Sequence, residues 1–127
     1  MNVLIVDTST WIEYFKGKAK DDLDLALQES RVYLPPLVVA ELLSGKMPSD
    51  KRKQLSDFLR ELPLCKIDFE HWARVGLLRN KLLSAGYSIS TPDVHVARCA
   101  LDLNGYLVSE DFIFSKIAKS ISLKLLT

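Results

Sequence analysis

The segment VLIVDTSTWIEYF, residues 3–15, runs from four consecutive apolar residues through one acid and three hydroxyl residues into an aromatic-rich stretch. Val3, Leu4, Ile5 and Val6 show no polar alternation, so they read as a strand buried on both faces, as in a parallel sheet covered by helices. Asp7 ends the run. Thr8, Ser9 or Thr10 can cap a helix carrying Trp11, Ile12 and Phe15, with Gly17 closing it. An acid at such a strand-to-helix junction lies where parallel α/β sheets gather their ligands.

The same alternation continues outward. Short apolar runs at residues 32–34, 64–67, 106–109 and 121–125 read as further strands. Helical spacing predicts helices over 20–29, 37–43, 48–61, 91–101 and 112–118. A longer helix after Asp68 carries Phe69, Trp72, Ala73, Gly76, Asn80 and Leu83 at helical spacing, with Gly76 expected to permit close packing. Thr91-Pro92 combines a cap with a first-turn proline. No linker, repeat or composition shift divides the chain, which predicts one α/β domain with a mostly parallel sheet of four or five short strands flanked by helices.

Composition narrows the function classes. The 127 residues are 48% hydrophobic and 26% charged, with five Gly and five Pro, which excludes a disordered or collagen-like chain. Seventeen basic against sixteen acidic residues give +1, so no bulk field announces nucleic acid or membrane. No stretch of about 18 apolar residues occurs, and the first residues lack a basic flank and a signal-peptide cleavage pattern, so a soluble cytoplasmic protein with no membrane contact is expected. Cys65 and Cys99 lack the spacing of a zinc knuckle or redox pair and read as buried thiols in a reducing compartment.

Four acids stand out. Asp7 and Asp111 fall just beyond predicted strands, Asp93 opens the helix after Pro92, and Glu41 lies in an otherwise apolar helix. Singly, each has a structural explanation: Asp7, Asp93 and Asp111 as helix caps or dipole partners, Glu41 as a cap or ion pair. Brought together, they would repel one another unless they surrounded a hard divalent cation, which points to Mg2+ or Mn2+. His95, two positions beyond Asp93, points to a different helix face and is expected at the surface or an interface.

The order LIVDTSTWIEYF, VVAELLSG, ISTPDVHVARCA and YLVSEDFIF resembles the PIN-domain ribonucleases, specifically the VapC-type toxins of toxin–antitoxin pairs, over nearly the whole chain. The resemblance assigns Asp7, Glu41, Asp93 and Asp111 to metal binding and catalysis. It implies hydrolysis of phosphodiester bonds in structured cellular RNA, leaving a 5′-phosphate and a 3′-hydroxyl. Ser9 would orient Asp7 or a water, and Ser109 would support the Asp111 turn. A VapB-type antitoxin whose tail blocks the groove and a homodimer are the implied partners, with Trp11, Tyr14 and Phe15 packing in the core or between copies. The sequence departs from the family where another aspartate often precedes a phenylalanine: Ile113 stands there and cannot hold a metal.

Lys16, Lys18 and Lys20 form one basic patch, and Lys46, Lys51, Arg52, Lys53 and Arg60 a second candidate phosphate-facing surface. Setting the four acids aside from the total of +1 leaves +5 on the remainder, so a near-neutral chain can pair an acidic hole with a basic surround. Three other readings compete. They are a catalytically silent PIN-like module that binds RNA or protein, a non-toxin RNA-processing PIN nuclease, and a phosphohydrolase using Asp7 as nucleophile. The last lacks the acid/base aspartate expected at position 9, where Ser9 stands.

Overall fold

The computed structural model describes residues 2–126, so the first and last residues of the expected 1–127 domain lie outside it. Four strands, β1 (Leu4–Val6), β2 (Val32–Tyr33), β3 (Tyr106–Val108) and β4 (Lys124–Leu125), form one sheet in the order β2-β1-β3-β4, parallel throughout. Every β1 side chain is buried, as the unbroken apolar run predicts for a central strand covered on both faces. Register pairs Leu4 with both Val32 and Tyr106, and Val6 with Val108, which brings Asp7 level with the end of β3. Gly105 makes the β1–β3 approach possible, because a Cβ there would lie 2.7 Å from the Val3 carbonyl oxygen.

Seven helices cover the sheet: α1 (Thr8–Phe15), α2 (Asp21–Gln28), α3 (Pro36–Leu43), α4 (Ser49–Arg60), α5 (Phe69–Ser84), α6 (Thr91–Asp102) and α7 (Phe112–Ile121). Their starts follow local chemistry. Asp7, Asp68, Ser90 and Asp111 each accept a backbone N–H of the first turn, and Pro36 and Pro92 stand where a missing donor costs nothing. Trp11, Phe114, Ile5, Leu34 and Ile117 are fully enclosed in the core.

Several expectations are corrected. The strand expected at 64–67 reduces to a single parallel bridge between Leu34 and Leu64, because the chain turns away into the Asp68 cap. The last strand covers only Lys124–Leu125, since α7 continues to Ile121. On α5 the buried face is His71, Val75, Leu78 and Leu82, whereas Phe69 is 80% exposed and Trp72, Gly76, Asn80 and Leu83 also lie outward. A Cβ added at Gly76 would meet nothing within 4 Å, so this glycine serves no close packing. His95, expected at the surface, is fully buried because α6 is packed both on the sheet and on α5.

Of the aromatic trio, Trp11 belongs to the core, stacked on Phe15 and met edge-on by Phe58, while Phe15 remains partly exposed. Both cysteines are buried free thiols. No helix among the described residues is long and apolar enough to cross a membrane.

Candidate functional site

Asp7 is held at the carboxyl end of β1 by its backbone and by three donors. Its N–H donates to the Val108 carbonyl at 3.3 Å, and its Oδ1 accepts the Thr10 N–H at 2.9 Å. The Ser9 hydroxyl donates at 3.3 Å, and the Ser109 hydroxyl donates to Oδ2 in a short hydrogen bond. Asp7 is thus nearly buried yet has no cationic partner among the described residues, an arrangement that fixes the carboxylate's direction without neutralising it.

Ser109 also accepts the Asp111 N–H at 3.0 Å, so one hydroxyl ties the β1 acid to the turn after β3. Its bond to Asp7 adds a link that sequence spacing could not reveal across 102 positions. Asp111 is exposed and caps α7 by accepting the Ile113 N–H at 3.1 Å. The Ile113 side chain packs against the core, so the departure from the family pattern removes an acid without leaving an exposed apolar residue.

Glu41 is on α3 and accepts the Thr8 hydroxyl at 2.6 Å. Thr8 is a possible cap by its position, but its hydroxyl instead bridges α1 to α3 and draws Glu41 toward the strand end carrying Asp7.

Asp93 lies in the first turn of α6 and is half-buried. Burial pushes its carboxyl pKa up most, a Ser90 hydrogen bond pulls it back, and the negative charges of Asp111, Asp7 and Glu41 raise it further. All four acids named from the sequence therefore share one electrostatic neighbourhood. The four carboxylates come from three helical starts and one helix interior, and carboxylate oxygens are the donor type that a hard divalent cation takes.

Beside the acids, a cavity of about 650 Å3 opens between α1, α3 and α4. Ile12, Phe15, Leu55 and Phe58 give it an apolar lining, and Glu41 with Lys16, Lys46 and Lys51 adds charge. The two basic patches of the sequence thus contribute to one groove, with exceptions. Lys18 pairs with Glu110 at 2.7 Å and Lys20 lies 3.9 Å from the same carboxylate. Lys53 pairs with Asp57 at 3.0 Å. Arg52 is turned inward, donating to the Gly45 and Leu43 carbonyls at the end of α3, so it is a structural clamp rather than a phosphate contact.

Comparison with known proteins agrees with this fold. Ribonuclease VapC11 of Mycobacterium tuberculosis is 25% identical over 129 residues, spanning 96% of each chain. The fold is similar to that in a DNA-bound VapBC from Salmonella typhimurium, with TM-score 0.81 and 20% identity over 99% of this chain and 98% of that one. It is also similar to VapBC2 from Rickettsia felis bound to a promoter DNA fragment, with TM-score 0.77 and 20% identity over 98% and 97%. The PIN domain family matches residues 4–120, a span that begins with β1, contains all four candidate acids and ends within α7. With its parallel sheet and this match over most of its length, the chain belongs to the PIN domain family.

Proposed function

We propose that the chain, as one PIN domain spanning residues 1–127, is a VapC-type endoribonuclease toxin that hydrolyses phosphodiester bonds in structured RNA and is inhibited by a VapB-type antitoxin. The observation that carries this reading is the shared field of Asp7, Glu41, Asp93 and Asp111 at the carboxyl end of a parallel sheet. The VapC11 relative supports the ribonuclease assignment.

Asp7, Glu41, Asp93 and Asp111 would hold Mg2+, with Mn2+ as a substitute. A cation held there supplies Lewis acidity, lowering the pKa of the attacking water and neutralising phosphate charge. The chain's own contribution is placement. Ser9 and Ser109 fix the Asp7 carboxylate, Thr8 fixes Glu41, and half-buried Asp93, whose carboxyl resists ionising without a cation beside it, completes the set. Lys16, Lys46 and Lys51 attract the RNA backbone, and the apolar floor beside them suits the tail of an antitoxin. The outward apolar residues of α5, Phe69, Leu77 and Leu83, support the homodimer expected for this family.

The test is cleavage of structured RNA by the purified chain. The expected result is products with 5′-phosphate ends that require Mg2+ or Mn2+, disappear with chelator, and are blocked by the antitoxin. Binding of RNA by the folded chain without cleavage in either metal would instead establish a silent PIN module.

A further inference from the structure

Away from the acid groove, α5 and α6 enclose a second set of metal-ligating side chains. His71, His95 and Cys99 are all buried, and each offers a ligand atom within 4.8 Å of the others. His71 Nε2 and His95 Nδ1 share a hydrogen bond of 2.7 Å. The Cys99 thiol has the Cys65 thiol, also buried, as its neighbour. His95 and Cys99 are four positions apart on α6, the spacing that sets two side chains on one helix face.

Packing alone leaves this cluster incompletely explained. His95 Nε2 is buried and has no hydrogen-bond partner among the described residues. Whichever ring donates the shared proton, that outer nitrogen is left as an unpaired donor or a bare lone pair. Behind the two rings, Asp102 Oδ2 lies 3.8 Å from His71 Nδ1, while Arg74 and Arg98 each hold that carboxylate at 2.9 Å.

We propose that His71, His95 and Cys99, completed by Cys65, form a structural Zn2+ site that clamps α5 to α6. Mixed imidazole and thiolate donors favour zinc over the hard cations suited to carboxylates. Zinc–nitrogen bonds of about 2.0–2.1 Å and zinc–sulfur bonds of about 2.3 Å, at tetrahedral angles, place donor atoms about 3.3–3.8 Å apart. The ligand atoms of His71, His95 and Cys99 already lie within 4.8 Å of one another, so their widest separation closes by up to about 1 Å on binding, with Cys65 moving in as the fourth donor.

Charge and protons balance. The two thiols release their protons to solvent, two thiolates neutralise Zn2+, and the imidazoles stay neutral with no change of oxidation state. The neighbouring Cys65 thiol and burial hold the Cys99 thiol pKa well up, so the metal itself must displace that proton. Trp72, 40% exposed, stacks on His95 with ring centroids 4.9 Å apart and forms the cover between this cluster and solvent. The clamp would fix the helix whose first turn carries Asp93.

The native chain, reduced and stripped of metal, is titrated with Co2+ and then Zn2+. Thiolate ligation gives an intense sulfur-to-cobalt charge-transfer band that oxygen ligation at the acid groove does not. We expect that band to saturate at one Co2+ per chain with quenching of Trp72 fluorescence. Zn2+ should then abolish the band and raise Tm. Cys99→Ala should remove the band and Cys65→Ala weaken it, with folding checked by circular dichroism. His95→Gln, close in volume, provides the second variant should Cys99→Ala not fold. A folded native chain with no thiolate band, or a band that survives in a folded Cys99→Ala or His95→Gln protein, overturns the site.

Discussion

Replacing Asp7 with alanine and, separately, with asparagine divides helix capping from chemistry. The Oδ1 bond to the Thr10 N–H at 2.9 Å is an N-cap, and removing such a cap costs about 1 kcal/mol. Alanine also strips the half-buried Ser109 hydroxyl of its acceptor, whereas exposed Ser9 can turn to water. Together the loss is about 1–2 kcal/mol. Unfolding entropy of about 2.1 cal/mol/K per residue over 127 residues is about 0.27 kcal/mol/K. Tm of the metal-free Asp7→Ala protein should therefore fall by about 4–7 °C. Asparagine retains an acceptor for Thr10, and its amide can donate to hydroxyls that rotate to accept, so its Tm should stay within about 2 °C of the parent. Cleavage should drop by more than about 100-fold in both, because neither side chain keeps the charge that would hold a cation. Calorimetry in chelator and RNA cleavage at saturating Mg2+ read the two effects separately. Undiminished cleavage by Asp7→Ala would reduce Asp7 to a cap and refute its place in the chemistry. Equal Tm for Asp7→Ala and the parent would refute the energetic account of the cap.

Asp93→Asn should raise the Tm of the metal-free protein at pH 7 while abolishing cleavage. The Asp93 pKa is higher folded than unfolded, chiefly through burial. Its ionised form therefore opposes folding at neutral pH, and the penalty disappears as pH falls through the folded value toward the unfolded one. Thermal melts from pH 7 to pH 3 should show the Tm gain shrinking on acidification, and a gain that grows instead contradicts the sign. Gly76→Ala removes a flexible residue from the interior of α5 where the new methyl meets nothing, so it should stabilise by about 0.8–1.0 kcal/mol and raise Tm by about 3–4 °C. A lower Tm in the melt would refute an open surface at that position.

Much of the acid site was legible because strand ends are local events. An unbroken apolar run followed by Asp7, and Tyr106 to Ser109 followed by Asp111, mark the carboxyl edge of a parallel sheet without any knowledge of strand order. Glu41 was visible as an acid among apolar neighbours. Thr8 was not, because its bond to Glu41 spans 33 positions and a hydroxyl at a helix start already has a local explanation. The basic residues were legible as charge but not as surface: Arg52 faces inward to backbone carbonyls and Lys18 is paired, which only packing could assign.

By itself the sequence determined the α/β class and the order of most elements and offered four acids as candidates, since these depend on periodicity and on contacts within a few residues; the caps shifted by a residue, to Asp7 rather than Thr8, Ser9 or Thr10 and to Ser90 rather than Thr91. The tertiary structure alone decided which stripe of α5 is buried. Phe69, Trp72 and Leu83 and the competing set His71, Val75, Leu78 and Leu82 both satisfy helical spacing, and docking against α6 selects the second. That same docking buries His95 against His71, 24 positions away, and turns a histidine expected at the surface into part of an enclosed cluster. Spacing fixes directions around a helix axis, whereas the choice among those directions depends on the total area and polar groups each docking would bury, a sum over segments distant in the chain.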